Sequence, residues 1–198
     1  MNKSFYKKWW FWLLCIFIVL FILNYSIKSL RTENENNKTT VKQEQIKNKE
    51  EMPKAELIDL NKSKSVDDIE YKILNVKETK SISNESGKSK ANGKFIIVEL
   101  QIENKTKNPI SYSSDDFFLI NNGRTFLVDD NSFNASQNLN SQQTIFNKNE
   151  KYIGTYDKFN PGITKKTFIV FDVPKDLNIK DTCFIPAKNT NIQFKLYK

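Results

Sequence analysis

The sequence predicts an all-β antiparallel sandwich, held behind one N-terminal membrane-spanning helix and a polar tether. Three observations carry this. Trp9 to Leu23 (WWFWLLCIFIVLFIL) holds no charge, amide or glycine. Ser29 to about Lys54 is almost devoid of apolar side chains. From about Ala55 onward apolar residues recur with period two, between closely spaced turn signals.

The apolar run comes first. A helix rises about 1.5 Å per residue, so Trp9–Ile27 covers roughly 28 Å, close to a bilayer core of about 30 Å. Trp9, Trp10 and Trp12 at one end and Tyr25 at the other suit the two membrane interfaces. Lys7, Lys8 and Lys28 bracket the run and can reach headgroups. A cleavable signal peptide is the competing reading. Its cleavage site wants small residues at alternating positions, and Ile27/Ser29 serves that poorly. Cys15 lies inside the run behind Trp12, Leu13 and Leu14, where a lipid-attachment cysteine needs a small residue before it. Lysine density before the span leans toward a cytoplasmic N-terminus. The expected organisation is a cytoplasmic tail over 1–8, a signal anchor over 9–27, a disordered tether over 28–55 and a sandwich domain over 56–198. As a coil, the tether reaches roughly 25–30 Å.

In the domain, Leu57, Ile58 and Leu60 predict a first short strand. Ile69 to about Thr79 predicts a second, with a bulge near Ile73-Leu74 where alternation slips. Ser81 to Gly93 has the composition of a loop. KFIIVELQIENK is the clearest strand. Ile96, Val98, Leu100 and Ile102 share one face, and the other face starts apolar and ends polar, as when a strand enters a covered core and leaves at a rim. NKTKNP (104–109) is a turn. Strands at about Phe117–Ile120 and Thr125–Val128 flank Asn122-Gly123, a strong hairpin signal. Asp129 to Asn149 reads as a long amide-rich loop with room for a short helix or strand. KKTFIVFDVP predicts a strand closed by Pro174, and QFKLY predicts the last. About seven strands suffice to bury two facing sheets. The predicted core is Ile73, Val76, Ile96, Val98, Leu100, Ile102, Phe117, Leu119, Ile169, Phe171 and Val173.

Composition excludes several functions. The net charge of +8 divides into +4 for residues 1–30, 0 for 31–63 and +4 for 64–198. The excess is spread, is almost wholly lysine, and forms no basic stripe, so no nucleic-acid partner is expected. There is no histidine, which removes the usual general base, the Ser-His triad and most catalytic zinc sites. Cys15 and Cys183 belong to different units and form no disulfide framework. Cys183 reads as a small packed hydrophobe.

The ordered motifs Glu103-Asn-Lys-Thr106, Pro109-Ile-Ser-Tyr112 and Asp116-Phe117 ahead of Leu119 resemble one family. So do Phe159-Asn-Pro-Gly162 and Phe171-Asp-Val-Pro174. The chain is similar over about residues 56–198 to the bacterial domain-of-unknown-function family 4352, in the immunoglobulin-like superfamily of immunoprotective extracellular proteins. The resemblance implies an immunoglobulin-like sandwich, membrane-anchored or secreted, in a Gram-positive type of bacterium. It implies no activity, substrate or site.

Few residues invite chemistry. Asp115, Asp116, Asp129 and Asp130 flank the Asn-Gly hairpin and, with Asp157 or Asp172, are the candidate oxygens for Ca²⁺. They lack the alternating spacing of a calcium loop, and solvated carboxylates at strand ends are the favoured reading. No carboxylate pair, glycine-rich phosphate loop or convincing Ser-Lys dyad at 63–65 or 86–90 stands out. Phe117, Phe118, Phe133, Phe146, Tyr152, Tyr156 and Phe159 are candidates for an exposed aromatic patch, against core and loop-pinning roles. No catalytic residue, cofactor or enzyme activity is expected. The expected role is non-catalytic binding or structure at the cell surface. The membrane is engaged by Trp9–Ile27, and the partner is an extracellular protein or a wall component. The alternatives are a sensor binding Ca²⁺ or a small ligand through the acidic loops, and a secreted protein after cleavage.

Overall fold

The computed structural model describes residues 55–197. The expected tail, span and nearly all of the tether lie outside the described residues. Among those described, no helix is long and apolar enough to cross a membrane.

Two sheets face each other. One holds strands β2 (Ser63–Val66), β3 (Ile69–Asn84), β4 (Gly87–Asn104) and β7 (Thr164–Val173), in that order. The other holds β1 (Glu56–Ile58), β9 (Ile192–Lys195), β8 (Thr182–Ile185), β5 (Phe118–Asn121) and β6 (Arg124–Leu127). Pairing is antiparallel except between β1 and β9, which run parallel. A helix, α1 (Asp130–Ser141), packs on the outside of the first sheet.

The core follows the alternation. Ile96 and Val98 of β4 pair with Phe171 and Ile169 of β7, and these four, with Leu100 and Ile102, are buried between the sheets. Phe117 stacks on Phe184 with centroids 5.4 Å apart, and Tyr71 meets Phe117 edge-on at 6.1 Å. Every predicted core residue is buried except Val76, which is partly buried at the rim. The expected bulge exists: register slips between Ile73 and Asn75, leaving Leu74 extra. Asn122 and Gly123 have φ of 48° and 76°, so both central turn residues are left-handed, as a two-residue primed hairpin turn requires.

Three expectations are corrected and one, the room for a helix in 129–149, is extended. Residues 81–93 are no loop but the outer half of the β3–β4 hairpin, with Ile82 paired to Ser89 and Asn84 to Gly87. The Asn84 side-chain carbonyl accepts from the Ser86 and Gly87 amides at 3.0 and 3.1 Å, so the polar residues that looked like a loop build one tight turn. Residues 129–149 contain a twelve-residue helix and a π-helical turn, Gln142–Phe146. The fold is therefore a β-sandwich with one covering helix, not all-β. The described residues form nine strands, because β2 and β8 are short and carry little alternation.

The helix explains the apolar start of the outer β4 face. Phe95 and Ile97 of β4, Val170 of β7, Ile82 of β3 and Ala135 of α1 form a second, smaller core. Asp129 caps the helix, its carboxylate accepting from the Ser132 amide at 2.8 Å.

α1 also closes the edge of β7. Edge strands expose a row of unpaired amides that invite pairing with another chain. The outward amides at 172, 170 and 168 donate to Ser132 Oγ at 2.7 Å, Ser136 Oγ at 2.9 Å and Asn140 Oδ1 at 2.8 Å. The next, at Lys166, donates to the Lys151 carbonyl at 2.8 Å. Four helix residues rise about 6 Å and two strand residues about 6.7 Å, so polar residues at every fourth helix position meet every second strand amide.

Candidate binding surface

Four of the six predicted acidic ligands are engaged with backbone. Asp116 accepts from the Ser113 amide at 2.8 Å as half of a capping box around the short turn Ser114–Asp116. Asp129 caps α1, and Asp130 lies exposed in its first turn. Asp115 is exposed in the capped turn. Asp157 accepts from the Gly154 amide at 3.2 Å. Asp172 accepts from the Asn92 amide at 2.7 Å and the Gly93 amide at 3.1 Å. Among the described residues no three acidic or cysteine side chains gather as metal ligands. Lys64, of the weighed Ser-Lys pairing, lies 2.7 Å from Glu56 in an ion pair.

The aromatic candidates separate. Phe117 and Phe159 belong to the main core, while Tyr156 and Phe146 are exposed. Tyr152 forms the one organised polar cluster of the group. Its ring stacks on Phe168 with centroids 5.3 Å apart, and its hydroxyl donates to Glu99 Oε1 at 2.6 Å. Lys166 Nζ sits 3.8 Å from the same oxygen and 5.9 Å from the Tyr152 ring centroid. Burial first, then the Glu99 carboxylate, pushes the Tyr152 phenol well above its ordinary range. The phenol stays protonated and is no base at neutral pH.

Two depressions lie near Tyr152, one lined by its partners Glu99 and Phe168 and one by Tyr152 itself. One, of 210 Å³, has an apolar floor of Ile97, Leu139 and Phe168 beside Lys77 and Glu99. The other, of 550 Å³, runs past Tyr152 between Lys148, Lys158 and Lys165. The π-helical turn beside the second leaves Ile145 65% and Phe146 47% exposed. An apolar floor with lysines at its rim can hold a ligand, but it has no activated nucleophile. Sequence reasoning found Tyr152 and missed Glu99, Lys166 and Phe168. Their signal was register: the solvent-side residues of two adjacent strands, Glu99 opposite Phe168.

Residues 58–181 match the family described as a domain of unknown function, DUF4352. The chain belongs to this family. The DUF4352 match takes in α1, β7 and the Tyr152 cluster, while β8 and β9 lie beyond it. No curated relative matches the chain. Similar solved structures include an uncharacterized β-sandwich protein from Clostridium difficile 630. It is 16% identical with TM-score 0.48, over 75% of this chain and 98% of that one. A conserved hypothetical protein from Bacillus anthracis is 19% identical with TM-score 0.45, over 64% and 86%. The yjhA protein from Bacillus subtilis is 10% identical with TM-score 0.43, over 69% and 99%.

Proposed function

We propose that this DUF4352 protein is a single-pass, membrane-anchored binding module. Trp9–Ile27 holds it in the membrane with the N-terminus inside. The tether carries an immunoglobulin-like sandwich outside the cell, where the domain binds a protein or wall component without catalysis. The observation that supports a binding role is the use made of the polar side chains. The carboxylates, serines and amides nearest to chemistry are spent on backbone amides, at Asp116, Asp129, Ser136, Asn140 and Asp172. What remains open is surface, with Tyr152 lining the lysine-rimmed depression and touching Phe168 and Glu99 of the apolar-floored one.

Trypsin treatment of intact cells, compared with lysed cells, tests this. Lys38, Lys42, Lys47, Lys49 and Lys54 offer cleavage sites ahead of a compact domain. Release of a resistant C-terminal fragment from intact cells supports the anchored, outward reading. A fragment seen only after lysis places the domain in the cytoplasm and ends that reading. Protein free in the medium favours cleavage of the N-terminal segment.

A further inference from the structure

The β3–β4 hairpin outruns its sheet. β7 pairs with β4 only as far as Lys94, opposite Val173, so residues 87–93 continue beyond it by roughly 20 Å. One face of this overhang packs on α1 through Ile82, Ala91 and Ser89, the last accepting from Asn138 Nδ2 at 2.8 Å. The other face carries Ser81 opposite Lys90 and Ser83 opposite Lys88. With Lys80, and with Ile82 and Ser89 between them, these residues line an open hollow of 410 Å³.

The hollow has lysines and no acid in its lining. The two acidic residues of the hairpin nearest to it in sequence, Glu78 and Glu85, are paired elsewhere. Glu78 pairs with Lys94 at 2.8 Å, and Glu85 accepts from Gln142 Nε2 at 2.8 Å on the helix side. Lys80, Lys88 and Lys90 are exposed and have no ion-pair partner among the described residues. Lys88 and Lys90 stand on one face of one strand, so their roots are about 6.7 Å apart. Three unpaired cations along an extended ledge match a linear chain of repeating negative charges better than a single compact anion.

The ledge lies at a defined end of the sandwich. The chain enters β1 at Glu56, whose amide bonds the Asn191 carbonyl at the start of β9. The hairpin root lies at the other end of the sandwich, where Lys94 Nζ donates to the Leu177 carbonyl just before β8. The entry point and the hairpin tip are therefore at opposite ends.

We infer that the overhanging β3–β4 hairpin, through Lys80, Lys88 and Lys90, binds a linear phosphodiester polymer of the cell wall. The binding chemistry stands on the ledge itself. The wall as the source of the polymer rests on the outward orientation proposed above.

The test uses the full chain in detergent micelles and wall sacculi, with and without their phosphodiester polymer. The wild-type chain is retained on intact sacculi and lost from stripped ones. Lys80→Gln/Lys88→Gln/Lys90→Gln lowers retention about ten-fold, and the slope of log affinity against log salt falls by about 2, near 0.7 per lost contact. Lys62→Gln/Lys107→Gln/Lys188→Gln removes the same charge away from the hairpin and retains binding. Equal loss in both triple variants, retention on stripped sacculi, or binding only to vesicles of anionic phospholipid overturns the inference. The two readings fail separately. Polymer binding by a domain that trypsin reaches only after lysis removes the wall as source and leaves the site. A domain exposed on cells that ignores the polymer removes the site and leaves the orientation.

Discussion

The Ser136 hydroxyl accepts a hydrogen bond from the Val170 amide at 2.9 Å, and both groups are buried. A helix side chain thereby takes the place of the next strand. Ser132 and Asn140 repeat the contact one turn to either side, at Asp172 and Phe168. Asn140 also donates to the Phe168 carbonyl at 3.0 Å, so its amide closes both polar groups of one strand residue. The sheet ends here by saturation of its edge, not by charge or a bulge.

Removing these caps leaves buried or half-buried amides without partners, at about 1–3 kcal/mol for a fully buried one. Ser136→Ala is expected to lower the thermal midpoint by several degrees, at about 4 °C per kcal/mol for a domain of this size. Asn140→Ala loses two bonds and is expected to cost more than Ser136→Ala. Ser141→Ala, one position past Asn140 and outside this row, is the control and should shift the midpoint by less than about 2 °C. Thermal unfolding followed by circular dichroism reads all three. Equal midpoints for Ser136→Ala and Ser141→Ala would show that the row contributes nothing.

The same row explains what the sequence hid. β4, β7 and the β5–β6 hairpin were legible because their buried residues are apolar and alternate. α1 was not, because its buried face carries Ser132, Ser136 and Asn140, polar residues at helical spacing. An apolar-periodicity argument reads that face as solvent. The outer hairpin was missed for a related reason: only Ile82 and Ala91 of its covered face are apolar. The acidic candidates were visible as residues, but their use as caps depends on turns that the sequence did not specify. Tyr152 was visible, and its partner Glu99 waited on strand register.

Gly93 marks the end of the β7 pairing. A Cβ there would lie 2.1 Å from the Val173 carbonyl oxygen, a backbone atom that cannot move alone. Gly123 needs a glycine for another reason: φ is +76°, with nothing within 4 Å of a Cβ. Gly123→Ala should cost about 1 kcal/mol, the strain of a left-handed residue. Gly93→Ala should cost more, about 3 kcal/mol, because it forces backbone apart where Asp172 holds the Asn92 and Gly93 amides. Urea midpoints compare them. A smaller loss for Gly93→Ala than for Gly123→Ala would mean that the strands part there without strain.

Tyr71 and Tyr112 set the alkaline limit. Burial raises both phenols above the ordinary value near 10, and Tyr112 also shares a hydrogen bond with the buried Thr167 hydroxyl. A raised phenol keeps its proton in the folded state while the unfolded chain loses it. The resulting stability is whole below about pH 10 and falls as pH rises toward the folded value. Tyr152 is raised as well, so absorbance at 295 nm should show three tyrosines that ionise above the ordinary range, Tyr71 and Tyr112 only as the fold is lost. Tyr112→Phe leaves the Thr167 hydroxyl without this partner and should cost about 1 kcal/mol at pH 7. It also removes one ionisation that pulls the chain open. The stability gap between wild type and Tyr112→Phe should thus narrow between pH 10 and pH 12. A gap that stays constant over that range would show that Tyr112 titrates alike in both states, and that its burial does not hold the proton.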